Sequence, residues 1–388
     1  MKLKINYARH YIDKKDLKSV EKSLNSNFLS QGPETIKFEK ALNNFFGSKY
    51  TSVVSSGTAA LHLIGKALDW KKGDTIITTP LTFAATANAI CYSGAIPQFV
   101  DIDSQTYNID LNQLEDKIKK INKFRKKVKA VVAVDYAGNP CDWRSLRYLA
   151  NKYKLKLIND NCHALGAKYL NDKSYAVKYA DVVSQSFQSL KNITTGEGGA
   201  IITNDKKIFD KVKILRSHGI VNYTNKKKNN HWKNKMNDLG FNYRMTDFQS
   251  TLGLSQLKKI NFFIKKRAQI ASYYDYHFSG IENFVIPKVN KNNTHAYHLY
   301  PLQIDFKKIK KNRDKMFEYF LNKNFRLQIH YTPIYHYNYY KKFYNYKKKS
   351  FPNTENFYSK EVSIPIFPGL KERDQLKFIN LLKKYLFN

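Results

Sequence analysis

Cysteine is scarce in this chain, and long apolar runs are missing. Cys91, Cys141 and Cys162 are the only cysteines, and they form no CxxC pair and no metal-ligand spacing. A disulfide framework is therefore not expected, which fits a reducing cytosol. The N-terminal sequence MKLKINYARHYIDKKDL contains no apolar export segment, and no later stretch approaches the roughly 18 apolar residues of a membrane helix. The sequence predicts a cytoplasmic protein with no membrane span.

Acidic residues are also few. There are 31 of them against 67 lysines and arginines, which gives a net charge of +36, so binding to nucleic acid has to be considered. However, the basic residues are dispersed as short runs such as Lys226–Lys228 and Lys347–Lys349, and Asn, Ile and Tyr are abundant too. This mix is typical of a proteome with A/T-rich codons. We interpret the charge as mostly a solvated surface that also favours an anionic substrate, and we expect no nucleic-acid partner.

Three common catalytic motifs are missing as well. No G-x-G-x-x-G run follows a strand and opens a helix, there is no Walker A sequence, and there is no G-x-S-x-G elbow. These absences argue against hydride transfer on NAD and against the usual serine hydrolases.

Strand-like and helical stretches alternate over most of the chain. Strands are predicted at Tyr50–Val54, Thr75–Thr78, Pro97–Val100, Lys129–Asp135, Leu155–Asn159, Asp181–Phe187 and Ala200–Thr203. Helices are predicted at Asp13–Asn25, after Pro33 through Phe46, and at Ala59–Leu68, Ala84–Tyr92, Leu111–Ile121 and Trp143–Tyr153. Because apolar runs linked by helices are typical of strands buried on both faces, the pattern predicts an α/β fold with a largely parallel sheet.

The alternation becomes sparser beyond about Leu254. A long helix is predicted at Ser255–His277, strands at His298–Ile304 and Leu327–Tyr331, and helices at Lys311–Lys323 and Arg373–Leu386. We therefore expect two domains, a large one at residues 1–254 and a smaller α+β one at residues 255–388.

The residues that follow each strand are candidates for a site, because ligands bind beyond the carboxyl ends of parallel strands. The first strand is followed by Ser55-Ser56-Gly57-Thr58, which opens a helix. Its free amides would suit a phosphate, and Gly57 would let the backbone approach closely, although an ordinary N-cap explains the same pattern. Phe83 follows the second strand and either packs in the core or lies on a planar cofactor.

Asp160 and His163 follow the strand at Leu155–Asn159. The aspartate either caps the next helix or pairs with a protonated heterocyclic nitrogen. The histidine is either a satisfied buried side chain or a cofactor contact.

Lys191 lies in a polar loop between two apolar strands, just before the run TTGEGG. Taken alone, it is simply one more surface lysine. If it is buried, desolvation lowers the pKa of its amine and makes the amine available for Schiff-base chemistry. A phosphate cup, an aromatic plate, a strand-end aspartate and a loop lysine, in that order, together meet the needs of pyridoxal phosphate (PLP).

The sequence resembles the DegT/DnrJ/EryC1/StrS nucleotide-sugar aminotransferases nearly from end to end. The motifs that carry the resemblance are SSGTAALH, TPLTFAATANAI, FVDIDSQTYNID, DYAGNPCD, DNCHALGA, SFQSLKNITTGEGGAIITND, RSHGI, GFNYRMTDFQSTLGLSQL, HYTPIY and SIPIFPGL. The resemblance implies PLP-dependent transferase fold type I, with a mostly parallel seven-stranded sheet, a small C-terminal domain and a homodimer with shared active sites.

The resemblance also implies roles for individual residues. Lys191 matches the lysine that binds PLP covalently, and Asp160 matches the partner of the pyridine nitrogen. The remaining cofactor contacts that it implies are Phe83 and His163 at the ring, Gly57, Thr58 and Ser186 at the phosphate, and Asn242 reaching the phosphate across the dimer interface. His330, Tyr331 and Arg244 match positions near the sugar nucleotide, although a structural ion pair is the alternative for Arg244.

Two positions depart from the family pattern. Gln188 stands where the family usually has histidine, and Asn161-Cys162 replace a common small pair. Because of these departures, the resemblance does not fix the shape of the substrate pocket or the packing against the cofactor ring.

The activity that the resemblance implies is transfer of an amino group, with glutamate as the expected donor, to C4 of a UDP-4-keto-6-deoxy-N-acetylhexosamine for pseudaminic acid. Lys191 argues against the sugar 3-dehydratases of this fold, which carry histidine there. Amination of C3 or C4 of another dTDP-, UDP- or GDP-keto sugar stays open. A non-catalytic, basic nucleic-acid-binding protein is the alternative from a different class.

Overall fold

The computed structural model describes residues 5–123, 127–222 and 233–387. The basic run Lys226–Lys228 thus lies outside the described residues. No helix in these three ranges is long and apolar enough to cross a membrane.

The first part of the chain supplies the large sheet and most of the helices around it. Its elements are β1 (Ile5–Asn6), α1 (Lys14–Leu24), α2 (Pro33–Phe46), β2 (Tyr50–Val54), α3 (Gly57–Ala67), β3 (Thr75–Thr78), α4 (Ala84–Tyr92), β4 (Ile96–Phe99), α5 (Leu111–Lys123), β5 (Val128–Val134), α6 (Trp143–Lys152), β6 (Lys156–Asp160), α7 (Tyr175–Tyr179), β7 (Val182–Ser186), β8 (Gly199–Thr203), α8 (Lys206–Leu215), β9 (Ile220–Asn222), β10 (Asn234–Met236) and α9 (Asp247–Leu257).

The rest of the chain builds a smaller α+β unit. Its elements are α10 (Ile260–Phe278), β11 (Phe284–Val285), β12 (Tyr300–Ile304), α11 (Arg313–Asn322), β13 (Phe325–Arg326), α12 (Asn338–Phe343), α13 (Pro352–Lys360), β14 (Glu361–Ile364) and α14 (Glu372–Phe387). Strands β11, β12 and β14 form an antiparallel sheet, and β1 pairs with β13.

The large sheet has seven strands in the order β2-β8-β7-β6-β5-β3-β4. All neighbours are parallel except β8, which runs antiparallel to both β2 and β7. Each predicted strand of this sheet is present, with its ends shifted by at most one residue. The prediction of an α/β fold with a mostly parallel sheet is confirmed.

Both faces of the large sheet are buried. Neighbouring residues of one strand, such as Leu157 and Ile158 of β6, belong to different apolar clusters. Because successive side chains of a strand point to opposite faces, these clusters lie on the two sides of the sheet. The carboxyl edge of the sheet is therefore where polar side chains can meet a ligand.

Helix α1 forms where it was predicted, but its apolar side chains face outward. Leu17 is 63% exposed and Leu24 is 52% exposed, whereas Asp16 is fully buried. The carboxylate of Asp16 accepts hydrogen bonds from Gln256 Nε2 at 2.7 Å and from Lys259 Nζ at 2.5 Å. Polar contacts with the α9–α10 junction therefore orient this helix, and its apolar stripe remains uncovered.

Two predicted elements are wrong. The single helix at Ser255–His277 is broken at residues 258–259, and the break lets α9 pack on α1 and α2 while α10 runs toward α14. The strand predicted at Leu327–Tyr331 is absent. In that segment a single residue, Gln328, forms an isolated β-bridge, and its partner is Ser363. The residues that follow Gln328 turn instead to line a cavity.

The domain division at residue 254 stays a prediction. Helix α9 runs through that position, and the apolar clusters change only within α10: Phe263 packs with the large sheet, whereas Ile270 packs with the small one. We therefore propose that the two units meet within α10.

Candidate active site

A cavity of about 660 Å³ lies between the carboxyl edge of the large sheet and the smaller unit. This volume is typical of a pocket for a cofactor and a substrate. The predicted site residues that line it are Gly57, Thr58, Phe83, Asp160, His163, Ser186, Lys191, His330 and Tyr331. Asn242 and Arg244 do not line it.

Lys191 reaches the cavity from the loop between β7 and β8. Two backbone hydrogen bonds close the base of the loop, one from Phe187 N to Gly198 O at 2.8 Å and one from Thr195 N to Phe187 O at 2.9 Å. Burial lowers the pKa of the Lys191 amine, and the nearby side chains of Cys162 and Asp160 partly offset this effect. Within the described part of the chain, Nζ has no hydrogen-bond or ion-pair partner, so the amine is available for chemistry.

Asp160 ends β6 and is only 4% exposed. It accepts hydrogen bonds from Thr86 Oγ1 at 2.7 Å and from Cys162 N at 3.3 Å. A turn follows it, so it caps no helix. No basic side chain in the described ranges lies within ion-pair distance of this buried carboxylate, which leaves it suited to a protonated ring nitrogen.

The N-terminus of α3 forms an anion cup. The side chain of Ser56 caps the helix by accepting a hydrogen bond from Ala59 N at 3.0 Å. Gly57 and Thr58, in the first turn, keep their amides free for a ligand. The sequence left an N-cap and a phosphate cup as alternatives for this segment. The structure contains both features, because Ser56 caps the helix and the next two residues line the cavity.

Gly57 is required by close packing. A Cβ atom at this position would lie 2.7 Å from the Cβ of Ser186. We expect Gly57→Ala to weaken PLP binding by about tenfold or more, because the helix end must shift away from Ser186. Fluorescence titration of the apoenzyme with PLP measures this change.

Gly369→Ala is the matched control for this substitution, since its new Cβ would meet nothing closer than 3.8 Å. Equal PLP affinity of Gly57→Ala and wild type would show that the cup does not hold the phosphate.

Two rings, Phe83 and His163, flank the cavity. Phe83 precedes α4, is 57% exposed, and its ring centroid lies 5.8 Å from that of Tyr331. Phe83 therefore does not pack in the core, which was the alternative for this residue. His163 is buried, and its Nε2 lies 2.9 Å from the hydroxyl of Tyr331. Burial and the nearby Lys191 charge hold the pKa of His163 well below its usual value, so this ring is neutral.

His330 and Tyr331 enter the cavity from the loop after β13. Asn242 and Arg244 lie elsewhere, in the segment that leads into α9. Asn242 is exposed and bridges to Ser217, and Arg244 bridges to Val54 at the end of β2. Neither residue lines the cavity of its own chain.

The two departures from the family pattern have local partners. Gln188 Nε2 donates to Ser189 Oγ at 2.9 Å, and its Oε1 accepts from Leu190 N at 2.9 Å, so it braces the lysine loop. Asn161 Nδ2 donates to the buried Asp135 at 2.8 Å. Both contacts lie beside the cavity and leave Lys191 and Asp160 in place.

The sequence analysis missed several lining residues, among them Tyr7, Thr86, Gln328 and Tyr337. Thr86 could have been predicted as a site residue, because it belongs to the motif TPLTFAATANAI. Nothing in the sequence indicated Tyr7, which comes from the far N-terminus.

A family model described as the DegT/DnrJ/EryC1/StrS aminotransferase family matches residues 10–383. The chain belongs to this family. It is 39% identical to the uncharacterized protein MJ1066 of Methanocaldococcus jannaschii over 97% of this chain and 96% of that one. It is 37% identical to the UDP-4-amino-4,6-dideoxy-N-acetyl-beta-L-altrosamine transaminase of Campylobacter jejuni, over 97% and 95% of the two chains. Among solved structures, Helicobacter pylori PseC, an aminotransferase of pseudaminic acid biosynthesis, superposes with a TM-score of 0.90 at 33% identity and covers 99% of both chains.

This member of the family is a PLP-dependent aminotransferase, as the sequence predicted. The residues present fit that cofactor. As far as the structure describes the chain, Lys191 offers an amine without a partner and Asp160 a carboxylate without a cation. Gly57 keeps the anion cup open beside Ser186. Phe83 exposes its ring at the same cavity.

Proposed function

We propose that this enzyme transfers an amino group from L-glutamate to C4 of a UDP-4-keto-6-deoxy-N-acetylhexosamine. The product is a UDP-4-amino-4,6-dideoxy sugar for pseudaminic acid or a related surface glycan. The observation that carries this proposal is the buried Lys191 amine, which shares a cavity of about 660 Å³ with Asp160. Similarity to the Campylobacter jejuni transaminase over nearly the whole chain supports the choice of sugar.

Lys191 moves the proton in this mechanism. When bound, PLP supplies an electron sink that stabilises negative charge at the carbon that loses the proton. With the cofactor bound, the free amine of Lys191 would take a proton from the α-carbon of the donor in the first half-reaction and would return a proton to C4 of the sugar in the second. Its lowered pKa favours the neutral amine that this step needs.

Asp160 and the anion cup hold the cofactor in place. The Asp160 carboxylate, which accepts a hydrogen bond from Thr86 Oγ1 at 2.7 Å, would keep a proton on the ring nitrogen of the bound cofactor. The amides of Gly57 and Thr58, together with Ser186, would bind the phosphate of the cofactor. We assign His330 and Tyr331 to the sugar side of the cavity, because they enter it from the smaller unit.

We further propose a homodimer in which each chain completes the site of the other. Asn242 is exposed and does not line the cavity of its own chain, which supports a contact with a neighbouring chain. Arg244 would accompany it toward the sugar nucleotide. Leu17 and Leu24 of α1 offer uncovered apolar surface for such an assembly. The three cysteines are free, in keeping with a cytoplasmic location.

Mixed dimers test the shared site. Lys191→Ala and Asn242→Ala homodimers should each be weakly active, because each lacks one part of both sites. Refolding the two variants together should restore activity, because one site of the mixed dimer then contains an intact Lys191 and an intact Asn242. Steady-state turnover before and after mixing measures this. No recovery in a sample that contains mixed dimers would place Asn242 outside the site.

The substrate is tested with a panel of nucleotide-4-keto sugars, incubated with the holoenzyme and glutamate. Mass spectrometry should detect the amino sugar from the UDP-N-acetyl substrate in preference to the dTDP and GDP sugars, and NMR of the product gives the position of the amine. Faster amination of a dTDP or GDP sugar would replace the proposed substrate and leave the aminotransferase assignment in place.

A further inference from the structure

A buried carboxyl group lies behind His330, on the side away from the cavity. Glu361 begins β14 and has no exposed surface. Its Oε2 accepts a hydrogen bond from His330 N at 2.9 Å, and its Oε1 lies 2.5 Å from Ser363 Oγ. In the described ranges no basic side chain forms an ion pair with it. A buried glutamate with neutral partners alone is costly to ionise.

Ser363 connects this carboxyl group to the imidazole. Its Oγ lies 2.8 Å from Nδ1 of His330, and it has no exposed surface either. His330 lines the cavity, and Nδ1 is engaged with Ser363, so Nε2 is the ring nitrogen left for a ligand. The three side chains thus form a hydrogen-bonded row, Glu361–Ser363–His330, that ends at the substrate cavity.

The single hydroxyl proton of Ser363 couples the two ends of this row. If Glu361 is ionised, Ser363 donates to it and accepts from Nδ1–H of His330, which leaves Nε2 as an acceptor. If Glu361 is protonated, it donates to Ser363, Ser363 donates to Nδ1, and the ring proton sits on Nε2. One proton on Glu361 therefore decides whether the imidazole donates or accepts at the cavity.

We propose that Glu361 and Ser363 are positioning residues that set the tautomer of His330, so that protonated Glu361 makes Nε2 a hydrogen-bond donor to a carbonyl oxygen of the sugar. The inference rests on the proposed function, because a keto sugar with an N-acetyl group supplies such oxygens. Glu361 is the one group in this row whose charge changes: the ring stays neutral while its proton moves from Nδ1 to Nε2.

The pKa shifts of Glu361 and His330 are consistent with a protonated Glu361 and a neutral His330. Burial raises the pKa of Glu361 to about 8, an effect that its hydrogen bonds from Ser363 and His330 N and the charge of Arg313 partly offset. Burial, with the charge of Lys191, lowers the pKa of His330 to about 3, so the ring is neutral across the working range.

Among the described residues, the other groups around Glu361 form no ion pair with its carboxylate. Arg313 of α11 donates to the backbone carbonyl of Glu361 at 3.4 Å, and Gln303 of β12 lies opposite it in the sheet. Tyr136 and Tyr331 face it as neutral phenols, since burial raises the pKa of each hydroxyl well above its usual value.

The test compares pH profiles of Glu361→Gln and Ser363→Ala with wild type. In the wild-type holoenzyme, kcat/KM for the keto sugar should fall about tenfold above about pH 8, as Nε2 changes from donor to acceptor. Glutamine at position 361 keeps the shape and donates permanently to Ser363, so this fall should disappear while activity at neutral pH stays within about twofold. Ser363→Ala should raise KM about tenfold at all pH values with little change in kcat.

Glu318→Gln, on the exposed side of α11, is the control and should keep the wild-type profile. A Glu361→Gln enzyme whose profile retains the fall above about pH 8 would overturn the proposal.

Infrared difference spectroscopy tests the row without turnover. The wild-type protein should show a protonated carboxyl band that disappears with a midpoint near pH 8, and Glu361→Gln should lack it. If the band is present but no keto sugar is converted, the row stands and the proposed function fails. If keto sugars are converted and no such band exists, the function stands and the inference is refuted.

Discussion

The Lys191→Ala enzyme is expected to lose amino transfer by at least about 10³-fold, the scale of removing a positioned proton carrier. The loss should be this large because the structure places no second partnerless lysine amine in the cavity among the described residues. The same change should remove the visible absorption of the covalently bound cofactor. Borohydride reduction of the wild-type holoenzyme, followed by peptide mass spectrometry, should place the cofactor on Lys191.

Lys207→Ala is the matched control, because Lys207 is an exposed lysine on α8. It should keep wild-type turnover and absorption. Lys191→Arg keeps a positive charge and should be as inactive as Lys191→Ala, since a guanidinium cannot act as the amine. Substantial turnover by either Lys191 variant would refute the assignment.

Asp160→Asn should lower kcat by roughly 10²–10³-fold, the scale of losing one preorganised electrostatic partner. The amide cannot hold a proton on the ring nitrogen as a carboxylate does, so the electron sink weakens. PLP should still bind, because the anion cup and Lys191 remain. A pH titration of the visible spectrum of the bound cofactor, with steady-state kinetics, measures both effects.

Asp116→Asn is the control for this change, since Asp116 is 81% exposed on α5. It should leave kcat unchanged. If Asp160→Asn lost PLP binding but kept kcat at saturating cofactor, Asp160 would be an anchor and not an electrostatic partner.

The large sheet was predictable because its strands are short, apolar and regularly spaced. The candidate site followed from the same pattern, since Gly57 and Phe83 come after strands and Asp160 is the last residue of one. Lys191 was harder to predict, because the chain has a charge of +36 and many surface lysines. Two signals distinguished it: its place in order after the phosphate cup, the aromatic plate and the aspartate, and the family motif SFQSLKNITTGEGGAIITND.

What the sequence did not reveal depends on contacts between distant segments. Nothing local to α1 indicates that Asp16 is buried and Leu17 is exposed, because the groups that bind Asp16 come from the α9–α10 junction. The apolar spacing at Leu327–Tyr331 resembled a strand, but that segment turns to face the cavity. The Glu361–Ser363–His330 row was equally hidden, since 31 residues separate Glu361 from His330.

The antiparallel course of β8 has a consequence for how this scaffold tolerates change. The chain leaves β7 and returns into β8 at the same edge of the sheet, so the segment that carries Lys191 is tethered at both ends. Lengthening or shortening that segment by one residue would displace the amine, whereas the stretch from Gln328 to Tyr337 is free of strand pairing on most of its length. We therefore expect changes in the accepted sugar, whether natural or engineered, to arise in the stretch from Gln328 to Tyr337. The loop that carries Lys191 should keep its length.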